Sequence, residues 1–190
     1  METGNSLTFS LVRWTRATFL GWLAGVVLIL ILSSLLDAIG IEHMQFYLGI
    51  GIGAGVGFMQ WLMFKRIVLI PKNWMIFSVL GLSIPFLILD LLPEGIVQHK
   101  IAWSILLGGL AVGLLQRGIL KNFSQHANLW IVACLVAWPL AVLTVFAVDY
   151  TKYITSVSWA LAILNFFLIL AGGVVLGLVS GIFLKRMIKT

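Results

Sequence analysis

Apolar residues run along this chain in long blocks, and charged residues punctuate them. Stretches free of Asp, Glu, Lys and Arg cover residues 17–36, 44–64, 73–89, 101–116, 127–148 and 153–184. A helix needs about 20 residues to cross roughly 30 Å of hydrocarbon, so these blocks predict six transmembrane helices. The third and fourth blocks are short, and their helices are expected to carry Asp90 and Arg117 just inside the membrane edge, reaching about Leu92 and Leu120. The last block is long, and its first residues are expected in an outer loop or interfacial turn. Strand-like alternation is absent, and backbone in lipid must satisfy its own hydrogen bonds, which leaves helices as the spanning element.

Composition agrees with that pattern. The chain of 190 residues is 62% hydrophobic and 9% charged, too little polar surface for a water-soluble domain. Ten of its twelve basic residues (Arg13, Arg16, Lys65, Arg66, Lys72, Arg117, Lys121, Lys185, Arg186 and Lys189) fall at the two termini or in the second and fourth connections. Five of the six acids (Asp37, Glu42, Asp90, Glu94 and Asp149) fall on the other side, with Lys100 and Lys152. By the positive-inside rule the basic side is cytoplasmic, which predicts a multi-pass protein of the inner (plasma) membrane with both termini in the cytoplasm. The net charge of +6 then reflects topology and contact with anionic lipid, and no nucleic-acid partner is implied. Residues 1–14 lack a basic region, short apolar run and small-residue cleavage site, so the first helix is expected to insert and stay. A single cysteine, Cys134, leaves no internal disulfide and no Cys-based metal site.

The chain also resembles itself. The second, fourth and sixth helices share G-x3-G-x2-[Q/S]-x4-K: Gly53, Gly57, Gln60, Lys65; Gly109, Gly113, Gln116, Lys121; Gly173, Gly177, Ser180, Lys185. The odd helices align at Trp14, Trp74 and Trp130, followed by Gly21, Gly81 and Ala137. This predicts one six-helix domain over 1–190, built of parallel hairpin repeats at approximately 14–66, 74–122 and 130–186 around a pseudo-threefold axis along the membrane normal. Glycines four apart let helix backbones approach closely in lipid, so the even helices are expected nearest the axis, their motif faces inward. Gln60, Gln116 and Ser180 lie close to the glycine face, as interhelical hydrogen-bonding groups or as the lining of a solute path.

The tryptophans Trp14, Trp61, Trp74 and Trp130 lie near the basic boundary and read as an interfacial belt. Trp22 and Trp138 read as packing residues. Pro85 and Pro139 remove backbone donors and are expected to kink the third and fifth helices. On the outer side Asp37, Glu42, His43, Asp90, Glu94, His99 and Asp149 form a candidate acidic and histidine rim. Such groups suit capping of helix ends, and carboxylates with imidazoles converging on an axis would suit a divalent cation; the identity of any metal or cofactor stays open. No nucleophile with a base, Walker-type phosphate loop or open metal site is visible, so an enzyme is the less favoured class.

The segment GAGVGFMQWLMFKR over 53–66, echoed by GLAVGLLQRGILKN over 109–122, resembles the GxxQWLxLR-like repeats of uncharacterised bacterial multi-pass membrane proteins. The resemblance implies a repeated membrane bundle and brings no activity with it; the third copy departs at Ser180 and Gly181. In helix number and size the chain is similar to the substrate-binding subunits of energy-coupling-factor vitamin transporters, though no motif carries that likeness. Two functions follow as expectations. One is a transport-related permeation bundle or solute-binding subunit; the other is a noncatalytic scaffold or accessory subunit whose glycine grooves pack against partner membrane subunits or further copies of itself in the lipid bilayer.

Overall fold

The computed structural model describes residues 9–41, 44–67, 70–93 and 95–189. Its helices are α1 (Leu11–Ala38), α2 (Phe46–Phe64), α3 (Asn73–Asp90), α4 (Lys100–Leu120), α5 (Leu129–Phe146) and α6 (Ser158–Lys189). All six are long and apolar enough to cross a membrane. A short 3-10 helix, Ala147–Tyr153, follows α5, and residues 154–157, at the start of the long last block, lie outside any helix before α6 begins. Arg117 lies within α4, and Asp90 is the last residue of α3.

Helix ends follow from local chemistry. The Ser10 hydroxyl accepts from Arg13 N–H at 3.4 Å and starts α1. Gly40, at φ +76°, stops it: the N–H of Gly40 donates to Asp37 O and that of Ile41 to Leu36 O, satisfying carbonyls that the helix leaves open. Asp90 caps a different helix. Its carboxylate accepts from the N–H groups of Gln45 and Phe46 at 2.7 and 2.8 Å, so a negative charge sits on the positive end of α2.

Every extensive helix contact joins chain neighbours, and α1 closes on α6, so the helices form a ring in which neighbours run antiparallel. The glycines set these contacts. A Cβ on Gly21 would lie 2.6 Å from Gly55 O, so α1 and α2 touch backbone to backbone. Gly53 and Gly57 face Ser78 of α3, Gly109 and Gly113 face Cys134 of α5, and Gly173 and Gly177 face Phe19, Trp22 and Thr15 of α1. The motif glycines thus seat each even helix against an adjacent odd helix. No two even helices are in extensive contact with each other, and Trp14, Trp74 and Trp130 are buried within the ring at 0%, 0% and 1% exposure. These three rings are therefore core residues and do not belong to an interfacial belt; Trp61, the fourth, is half-buried with Lys65 Nζ 4.2 Å above its ring.

Candidate functional site

At the basic end Trp14 begins the second turn of α1, Trp74 and Trp130 open α3 and α5, and Phe64 ends α2. Their rings make a closed circuit. Trp14 meets Phe64 at 5.6 Å and Trp130 at 6.1 Å, both edge-on, while Trp74 stacks on Phe64 at 5.5 Å and reaches Trp130 at 5.5 Å. Offset and edge-on pairs of this kind hold their geometry and bury large area. The circuit plugs the bundle.

Each indole N–H in the plug is satisfied by the polar residue of an even helix. Trp74 donates to Gln60 Oε1 at 3.4 Å, Trp130 to Gln116 Oε1 at 2.8 Å and Trp14 to Ser180 Oγ at 3.0 Å. The amide donors continue outward: Gln60 Nε2 donates to Thr18 Oγ1 at 3.2 Å, and Gln116 Nε2 to Ser78 Oγ at 2.8 Å and Trp74 O at 3.3 Å. Ser180 is too short to continue in that direction and donates to Leu176 O in its own helix. Where Ser180 and Cys134 stand, a cavity of about 10 Å³ remains beside Gln116 and Leu176, the bare minimum for one water molecule. Gln60, Gln116 and Ser180 are all buried.

Beyond the plug, toward the acidic end, the axis opens into a cavity of about 290 Å³ lined by residues from all six helices. Trp22, Leu82 and Trp138 form its deep end, and Ile29, Leu48, Ile101 and Phe146, each half-buried, lie toward its mouth. The lining is almost wholly apolar. Two indoles border the cavity, Trp22 and Trp138, and the Trp22 Nε1 is engaged, donating to Ile169 O at 2.9 Å. Two backbone features let the Trp22 indole lie flat: at Gly172 and Gly173 an added Cβ would come within 2.7 Å of it. The smaller Leu82 follows Gly81 where tryptophans follow Gly21 and Ala137, and that difference in volume helps leave the space empty.

Of the outer rim residues, Asp37, Asp90, His99 and Asp149 are described. Asp37 is exposed, and Asp90 is engaged in capping α2. Lys100 Nζ donates to Leu92 O at 2.7 Å across the preceding loop. His99, in the left-handed conformation at φ 55°, and Asp149 share a recess with Gln45 and Lys100 that borders the apolar cavity at Ile101 and Phe146. Glu42, His43 and Glu94 lie outside the described residues. Among the described residues, no three His, Cys, Asp or Glu side chains are grouped to hold a metal ion. Arg117 Nε donates to Asn128 Oδ1, tying α4 to the start of α5.

Sequence reasoning missed the plug and the cavity. One signal for the plug was present: Gln60 to Trp74 and Gln116 to Trp130 are the same 14 residues apart. Comparison with protein families, curated proteins and solved structures gives no match to this chain.

Proposed function

We propose that this protein is a solute-binding membrane subunit whose ligand is a hydrophobic molecule or a lipid chain held in the six-helix cavity. The observation that carries the reading is the cavity itself, about 290 Å³ and walled almost wholly by apolar side chains, placed beyond an aromatic plug. An ion or polar solute would lose its hydration there with little to replace it. A space walled by apolar side chains and open at one end favours an apolar occupant. A permeation path would run through Gln60, Gln116 and Ser180, yet their hydrogen bonds to the plug leave room for about one water. The motif glycines are covered by the chain's own helices, so we do not assign them to partner contacts.

In the same reading the basic end faces the cytoplasm and the cavity opens to the outer leaflet. The three hairpins stand around a pseudo-threefold axis. The tryptophan bonds to Gln60, Gln116 and Ser180 support this, because the one from Trp14 joins the first helix to the last and completes the cycle.

The test is retention of a brominated fatty acid by the detergent-purified full chain, read by native mass spectrometry. One saturable ligand per chain is expected, with loss of retention in the Val26→Phe/Val142→Phe variant, which fills the cavity. Absence of saturable retention, or equal retention by a folded filled variant, overturns the reading.

A further inference from the structure

A second recess lies at the basic end, on the lipid-facing side of the α1–α2 pair and apart from the axial cavity. It measures about 540 Å³ and is lined by Arg13, Arg16, Arg66 and an apolar floor that includes Ala17, Leu20 and Leu62. The floor arises because α1 and α2 are in closest contact further along, at Gly21 with Gly55 and Gly25 with Gly51, and bulkier Leu62 and Met63 separate them toward this end. Arg13 and Arg16 are three apart on one helix face, and Arg66 follows the end of α2, so three guanidiniums from two elements border one groove.

No carboxylate answers them among the described residues. Asp37, Asp90 and Asp149 are all at the other end of the bundle, and Asp37 is about 30 Å from Arg16 along α1 at 1.5 Å per residue. None of the three side chains forms a hydrogen bond or ion pair with another described residue. An unanswered cluster of forked donors at the membrane boundary, above an apolar groove that continues into the lipid depth, matches one chemistry: a phosphate with acyl chains attached.

We propose that the α1–α2 groove is a binding site for one anionic phospholipid of the adjoining leaflet, its phosphate held by Arg13, Arg16 and Arg66 and one acyl chain lying along Ala17, Leu20 and Leu62. Phosphatidylglycerol and phosphatidylcholine provide the contrast, since both carry a phosphodiester but only the first has net negative charge.

The test equilibrates the full chain with vesicles of equimolar phosphatidylglycerol and phosphatidylcholine, extracts it gently and counts retained lipid by native mass spectrometry. The wild type is expected to keep one phosphatidylglycerol with roughly tenfold preference. R13Q/R16Q/R66Q is expected to lose that preference, while K72Q/K121Q/K185Q, which removes the same charge from the same end, keeps it. If the triple variant does not fold, Arg16→Gln alone should reduce the preference severalfold. Equal retention of the two lipids by the wild type overturns the proposal. So does an equal loss in the lysine variant, which would make the effect one of general surface charge, or displacement of the lipid by millimolar inorganic phosphate, which would make the site one for free anion.

Discussion

The two halves of the bundle fill a common axis in different ways, although the same six helices build both. At the basic end, aromatic rings with polar handles interlock, and each N–H reaches an amide or hydroxyl on a neighbouring helix. At the acidic end the lining is branched aliphatics and aromatics that leave about 290 Å³ open. Lipid gives helices no hydrophobic drive to associate, so packing and interhelical hydrogen bonds must hold the bundle. The plug supplies both. The cavity half has little of either on the axis, so its geometry rests on helix contacts around the ring and on Asp90 capping α2. The difference separates a part that fixes the fold from a part free to hold something else.

The strongest way to break this division is Trp130→Ala. Trp130 touches both Trp14 and Trp74 and donates to Gln116, so its removal opens the plug and strands a buried amide. Loss of about 3–5 kcal/mol is expected, seen as a large fall in thermal stability in detergent. A loss under about 1 kcal/mol would show that the plug does not hold the bundle.

A matched pair sharpens the comparison. Val112 is 2% exposed and its atoms would clash with any Cβ on Gly81, whereas Val142 lines the open cavity. Val112→Phe should cost about 1–3 kcal/mol by overpacking, and Val142→Phe should cost less than about 0.5 kcal/mol or stabilise the protein. Equal melting shifts for the two would mean that the cavity wall is as rigidly filled as the plug.

Much of the fold was legible because charge punctuates the helices. The acids and bases bound spans close to those in the structure: α4 ends at Leu120 as expected, and α3 ends at Asp90, two residues short of the expected Leu92. The tryptophans were harder. Indoles beside Lys and Arg ordinarily sit at the headgroups, and nothing local separates the half-buried Trp61 from the fully buried Trp14, Trp74 and Trp130. The shared repeat position sets the three apart from Trp61, and the recurring interval to Gln60 and Gln116 marks Trp74 and Trp130; that interval has meaning once the helices are known to be antiparallel neighbours. Glycine spacing announced close contact but could not name the partner helix, since a row of small residues is compatible with any backbone that can reach it. The cavity was beyond reach because it is a sum of side-chain volumes across six helices, Leu82 against Trp22 and Trp138 among them. Arg13 and Arg16 were visible as a pair; their meeting with Arg66 depends on how α2 ends.

The smallest expected difference between paired variants tests the polar layer between the two halves. Gln116 is 1% exposed and makes bonds of 2.8, 2.8 and 3.3 Å, whereas Gln60, at 5% exposure, makes longer ones of 3.2 and 3.4 Å. Leucine has nearly the same volume as glutamine and forms none of them. Gln116→Leu leaves the Trp130 N–H without its acceptor, and Ser78 keeps Trp74 O, so the expected loss is about 1–2 kcal/mol. For Gln60→Leu the Trp74 N–H loses a weaker bond, and the loss should be near the roughly 0.6 kcal/mol average for interhelical bonds in membranes. Thermal or denaturant unfolding in a fixed detergent would resolve the order. If Gln60→Leu proves the costlier, bond length is not what ranks these sites. If both are neutral, the rings alone hold the plug, and the layer beneath the cavity has no stabilising role for its hydrogen bonds to explain.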